Sequence, residues 1–205
     1  MALDIQADPQ SRTSILTIIT QDHPGLFTRI AGAVALAGCS IVSARINTRH
    51  DGMILDEFRI QTLARTHVSE PAQIKRIESY ITDALAGKIQ LYDQLQKKTR
   101  NMPPRFQAMR IPPRVIVTNK ISKTHTVIEV NGNDRPGLLY QITWHLSQLG
   151  LQINSASVST YGEKAVDVFY LKDVFGLKIE RETTQAKIRE RLLSLFAENE
   201  GADDQ

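Results

Sequence analysis

The sequence predicts an α+β chain built from two copies of one β-α-β-β-α unit. Three observations carry this: a motif that recurs 112 residues later, a helix-spaced apolar stripe after each copy, and an alternating run beyond each stripe. Asp22-His23-Pro24-Gly25-Leu26-Phe27 returns as Asp134-Arg135-Pro136-Gly137-Leu138-Leu139. Leu26, Ile30, Val34 and Ala37 then match Leu138, Ile142, Leu146 and Leu149 at the same offset. That spacing is one face of an amphipathic helix. Gly38 and Gly150 follow, where a helix C-cap favours a residue with positive φ.

The remaining elements come in the same order in both copies. A β-branched run precedes each helix, Ser14–Thr20 and Thr126–Asn131. After the helix, Val42, Ala44, Ile46 and Thr48 alternate with polar neighbours, as a strand buried on one face should; their partners are Asn154, Ala156, Val158 and Thr160. Turns follow at Arg49-His50-Asp51-Gly52 and Tyr161-Gly162-Glu163-Lys164. Asp56-Glu57-Phe58 aligns with Asp167-Val168-Phe169 at an offset of 111, so the first hairpin is one residue longer. A last helix starts near Ser69-Glu70-Pro71 and carries Ile74, Ile77, Ile81 and Leu85. Its counterpart runs from about Arg181 with Ile188, Leu192 and Leu195. A fourth strand would complete a ferredoxin-like β-α-β-β-α-β fold with antiparallel sheets. Arg114–Thr118 is expected to supply it for a first domain over 14–118. The second domain, 124–197, is expected to lack its last strand or borrow an edge.

Composition sets limits on function. With 41% hydrophobic and 23% charged residues, the chain reads as an ordinary soluble globular protein. The longest apolar stretch, Ile30 to Cys39, is too short to span a bilayer, and Met1-Ala2-Leu3-Asp4 does not open a signal peptide. Its single cysteine, Cys39, suits a reducing cytoplasm. The net charge of +3 hides an uneven distribution. No acid stands between Asp93 and Glu129, where Lys97, Lys98, Arg100, Arg105, Arg110, Arg114, Lys120 and Lys123 cluster. Only Phe106 is interleaved, and Pro103, Pro104, Pro112 and Pro113 oppose a recognition helix, which argues against nucleic acid. A solvated linker over 97–113, or an interdomain contact, is the expectation.

Asp-x-Pro-Gly-Leu between strand and helix, a glycine about a dozen residues on, and a strand opening x-Ile resemble the ACT domain. The resemblance covers roughly Ser14–Ala86 and Thr124–Phe196. The segments Thr126–Tyr140 and Ser159–Tyr170 further resemble the C-terminal tandem of the bifunctional PII uridylyltransferase/uridylyl-removing enzymes, a family of bacterial nitrogen sensors. It implies a regulatory module that binds a free amino acid, glutamine for this family, and reports to catalytic domains acting on the PII protein. It also implies that ACT units pair, within the chain or in a dimer.

The motif has a physical rationale. Proline fixes φ at the first helical turn, and glycine removes the Cβ that would block a ligand's approach. The helix start can then receive a carboxylate, and Asp22 or Asp134 an ammonium group. Candidate ligand residues are therefore Asp22, His23, Gly25 and Leu26 in one copy, and Asp134, Arg135, Pro136, Gly137 and Leu138 in the other. Arg135 could reach a carboxylate, where the first copy has His23. The resemblance adds the opening of the following strand, Ser40 and Ile41 or Gln152, Ile153 and Asn154. The two amides of the second copy suit a polar side chain, and Gln152 is expected to reach the same bound amino acid as Arg135. No catalytic residue is expected: Gly-Ser, Asp-x-Asp, a P-loop, Cys-x-x-Cys and His-x-x-x-His do not occur, and His50-Asp51 reads as a turn. No metal and no cofactor is expected for this chain, Mg²⁺ belonging with the catalytic domains of the resembled enzymes. Two other readings stay open: the ACT module of another amino-acid-responsive protein, and a nucleic-acid adaptor using Lys97 to Lys123.

Overall fold

The computed structural model describes residues 1–8, 10–46, 52–100 and 111–197. Leu3 and Ile5 alternate with exposed neighbours and open the chain as a strand, β1 (Ala2–Ala7). It is followed by β2 (Ser14–Gln21), α1 (Leu26–Leu36), β3 (Cys39–Arg45), β4 (Met53–Thr62), α2 (Pro71–Leu85) and α3 (Leu91–Arg100). The sheet runs β1-β2-β4-β3, with every neighbouring pair antiparallel. The second set is β5 (Arg114–Thr118), β6 (Thr126–Asn133), α4 (Leu138–Gln148), β7 (Gln152–Tyr161), β8 (Lys164–Lys172) and α5 (Glu182–Ala197). Its order, β5-β6-β8-β7, repeats the first and is again antiparallel throughout. Two compact units result: Met1–Phe106 with Pro136–Tyr140, and Gln107–Arg135 with Gln141–Gln205. No described helix is long and apolar enough to cross a membrane.

The edge strand differs from the sequence expectation. Arg114–Thr118 does not close the first copy: it pairs with β6, Arg114 opposite Asn131 and Thr118 opposite Val127. The second copy therefore has four strands. The first copy takes its fourth from β1, with Ala2 opposite Ile19 and Gln6 opposite Ile15. These registers coincide at the offset of 112, so the repeat begins one strand earlier than the motif suggests. Chain entropy explains the choice. The connections from β1 to β2 and from β5 to β6 are short, and short loops cost less to close than a return across a whole domain. The ferredoxin-like sheet order is kept, but its edge strand enters ahead of the repeat instead of behind it.

Each sheet packs one face against its helices. In the first unit Leu26, Ile30, Val34 and Ala37 are buried, as are Ile77 and Ile81 of α2 with Ala84, while Ile74 and Leu85 are half-buried. Phe58 of β4 is fully buried and stacks on Phe27 at 5.9 Å between ring centroids. In the second unit Ile142 and Leu146 of α4 and Ile188, Leu192 and Leu195 of α5 are buried, as is Phe169, the counterpart of Phe58. Gly38 and Gly150 have φ of 80° and 72°, as helix C-caps require. A β-bulge interrupts the expected alternation of both second strands, between Ile41 and Ser43 and between Ile153 and Ser155. Val42 and Asn154 sit at those bulges, so Val42 is only half-buried while Ala44 is buried. The expected buried position of Thr48 and the His50-Asp51 turn lie outside the described residues.

α3 corrects a second expectation, because the basic stretch from Lys97 begins within a helix instead of a linker. Leu91 and Leu95 are its buried face. Lys98 Nζ donates to the Ala35 and Leu36 carbonyls, the C-terminal end of α1, where the helix dipole favours a cation. Arg105, Arg110 and the prolines Pro103 and Pro104 lie outside the described residues.

One buried hydroxyl recurs in the two copies. Ser14 Oγ accepts the Val68 amide at 2.9 Å, and Thr126 Oγ1 accepts the Ile179 amide at 2.8 Å. Each ties the start of its strand to the segment leading into the last helix. Thr126 also donates to Asn119 Oδ1 at 2.7 Å. Thr126→Val keeps the shape and removes the acceptor, leaving a buried amide unpaired. It is expected to cost roughly 1–3 kcal/mol in urea unfolding, whereas Thr126→Ser should recover most of that loss.

Candidate functional site

The loop between the first strand of each repeat and its helix has the same construction twice. Asp22 N donates to Gly52 O at 2.9 Å, and Asp134 N to Glu163 O at 2.7 Å, pinning each loop to the hairpin beside it. Gly25 and Gly137 take φ of 78° and 82° just before the helix. That conformation is costly for any residue with a Cβ. A Cβ at either glycine would meet nothing within 4 Å, so the loop is open on that side. Leu26 and Leu138 turn inward and anchor it.

The flanking residues differ. Asp22 is exposed and His23 half-buried, with its Nδ1 at 3.3 Å from the Pro24 carbonyl. Asp134, Arg135, Pro136 and Gly137 are all half-buried. Arg135 Nη2 donates to the Leu195 carbonyl at 3.0 Å, capping the last turn of α5. Arg29 does the same for α2 in the first unit, through the Ala84 carbonyl at 3.1 Å. Arg135 therefore has a structural duty that its sequence position does not announce.

The strand openings do not join these loops within one unit. Gln152 stands opposite Lys172, at the end of the sheet where β6 begins with Thr126. Asn133, next to the loop, stands opposite Lys164 at the other end. β6 lies between them, and an eight-residue strand spans roughly 25 Å. Within one unit, the opening of β7 and the loop carrying Arg135 therefore stand at opposite ends of the sheet. Gln152 and Asn154 are exposed, and Ile153 is half-buried. Ser40 and Ile41, half-buried, have the same remote placement in the first unit. The cause is topological: a strand entered after a crossover helix runs parallel to the strand before it, so its start lies far from the loop.

Sequence reasoning missed the residue beneath the second loop. Asp167 lies in the inward row of β8 between Ala165 and Phe169, and is 2% exposed. Its Oδ1 has no hydrogen-bond partner. Burial, and next the charge of Asp134, push its carboxyl up to about 7, against a smaller opposing pull from the Ser159 backbone amide. Asp56 occupies the matching place in β4 and is 1% exposed. The signal was present: strand alternation puts an aspartate of both repeats in a row otherwise apolar.

The repeated strand-loop-helix motif thus sits on two four-stranded ferredoxin-like units. Residues 121–197 match the model of the ACR family N-terminal ACT domain. Over 192 residues the chain is 47% identical to the bifunctional uridylyltransferase/uridylyl-removing enzyme of Rhodospirillum rubrum, covering 94% of this chain and 20% of that protein. The enzymes of the same name from Azospirillum brasilense and Gluconobacter oxydans are 50% and 45% identical over 184 and 187 residues. They cover 89% and 91% of this chain, and 20% of each enzyme. The chain is thus a relative of these enzymes and spans about a fifth of their length.

The Asp167 carboxyl makes stability depend on pH. The folded state holds a proton up to about pH 7, whereas the unfolded chain releases it near the ordinary aspartate value of 3.8. Stability contributed by this group is therefore full at low pH and falls as pH rises between those values. Asp167→Asn should remove that fall, and the variant should gain on the wild type by a margin on the order of a few kcal/mol between pH 5 and 8. Urea unfolding across that range checks it; parallel profiles for the two proteins would contradict it.

Proposed function

We propose that the chain is the amino-acid-sensing part of a PII uridylyltransferase/uridylyl-removing enzyme, and that glutamine is its ligand. The observation that carries the reading is the repeated aspartate-to-glycine loop with left-handed glycines before α1 and α4, in a chain related along 94% of its length to such enzymes. The loop offers the two things a free amino acid requires. A helix start with unpaired N–H groups attracts the α-carboxylate, and an aspartate attracts the α-ammonium. Glutamine adds an amide, whose hydrogen bonds need polar partners instead of an apolar pocket.

In this reading the ligand acts by coupling. Glutamine binding shifts the catalytic domains of the whole enzyme from adding the uridylyl group to the PII protein toward removing it. By linkage, whatever conformation the ligand favours must in turn favour the ligand. The chain itself carries out no chemistry.

Calorimetric titration of the chain with the twenty amino acids tests this. Glutamine is expected to bind most tightly. A chain that binds leucine or serine tightest and is silent to glutamine would leave the fold intact and remove the sensor assignment. Gly137→Val is expected to weaken glutamine binding at least tenfold, since a β-branched residue resists the left-handed conformation.

A further inference from the structure

Asp56 and Asp167 are the buried acidic residues among the described residues, and in the second unit Asp167 has that place to itself. It sits in a row of the sheet that otherwise faces the core, between Ala165 at 4% and Phe169 at 0% exposure. Its Oδ1 accepts no hydrogen bond. A carboxyl oxygen so placed costs stability unless something uses it. A purely structural aspartate would close its hydrogen bonds within the fold, as Asp173 does by accepting the Phe175 and Leu177 amides.

The surroundings point to a cation as the missing partner. Asp134 faces Asp167 from the β6–α4 loop, near enough for one charge to act on the other. The Ser159 backbone amide faces it from β7. Arg135 donates to the Leu195 carbonyl, and Arg191 to His145 Nδ1 at 3.0 Å. Two carboxyl groups set against each other, one with an open oxygen, form a receptor for a group of positive charge and several N–H donors.

We propose that Asp167 is a ligand-binding residue: with Asp134 it receives the α-ammonium group of the bound amino acid, Asp167 being the deeper of the two anchors. The inference rests on the reading of the chain as an amino-acid sensor and assigns one group of that ligand to one buried carboxylate. It also sets the proton balance. Without ligand the pair relieves its repulsion by keeping a proton on Asp167, whose carboxyl is raised to about 7. On binding, that proton leaves for solvent and the ammonium takes its place, so affinity depends on the fraction of Asp167 already ionised.

The test compares glutamine with glutaramate, the same molecule without its α-amino group, by calorimetry on the intact chain. The wild type should prefer glutamine by at least tenfold, and Asp167→Asn should reduce that preference to about threefold or less. Asparagine has nearly the same shape, and circular dichroism of the variant reports its folding. The wild type alone supplies a second arm that needs no variant to fold. Its glutamine affinity should rise roughly tenfold from pH 6 to pH 8 as Asp167 ionises, with about one proton released per ligand near pH 6. Glutamine binding that keeps its preference over glutaramate in Asp167→Asn, or that is flat with pH in the wild type, overturns this inference and leaves the sensor reading standing. Failure of the wild type to bind glutamine at all overturns both.

Discussion

A carboxyl group held inside an apolar row of a β-strand is the constraint around which the second unit's site is arranged. Asp167 keeps its place because its neighbours in β8, Ala165, Phe169 and Leu171, fix the direction of every second side chain. Turning the aspartate outward would turn Phe169 outward with it, and Phe169 is the largest fully buried side chain of its unit. The strand therefore cannot relieve the buried acid by slipping one residue. What can change is the acid's protonation and its partner, and both lie at the loop carrying Asp134. Local chemistry at the loop is thus coupled to the stability of the unit that holds it.

The two copies share this framework down to its irregularities. Edge strand, hydroxyl tie, bulge, loop glycine and buried aspartate recur at offsets of 112 or 111. They differ at the loop surface, where His23 stands in one copy and Arg135 in the other. Only the second of these residues ties its loop to the end of the last helix, through the Leu195 carbonyl. In the first unit that tie comes from Arg29, inside the helix instead of ahead of it. One fold thus meets the same need, a cation at a helix C-terminus, from two sequence positions.

Much of this was legible in the sequence, for reasons that also explain what was not. The stripes of α1, α4 and α5 and the cap glycines Gly38 and Gly150 depend on local periodicity and backbone sterics, which residue types report directly. The edge strands were misassigned because Arg114–Thr118 has the right composition for either partner, and pairing is settled by loop length. Extending the 112-residue comparison back to Leu3 and Ile5 against Val115 and Val117 would have revealed it. α3 was missed because its helix lies beside prolines and its apolar face is only Leu91 and Leu95. For the site, the loops were readable as motifs. The remote position of Gln152 follows from strand direction, a property of topology and not of any residue. Asp167 was passed over because an aspartate in a strand suggests an exposed face, although alternation with Phe169 puts it inside.

The central claim is that Asp167 is neutral in the free chain and ionised when an amino acid occupies the loop. The most direct measurement is the carbon-13 shift of its side-chain carboxyl, followed through a pH titration with and without saturating glutamine. The account predicts a midpoint near 7 for the free chain and a shift of at least one unit downward on saturation. A midpoint in the ordinary carboxylate range without ligand, or one that glutamine leaves unmoved, would contradict it.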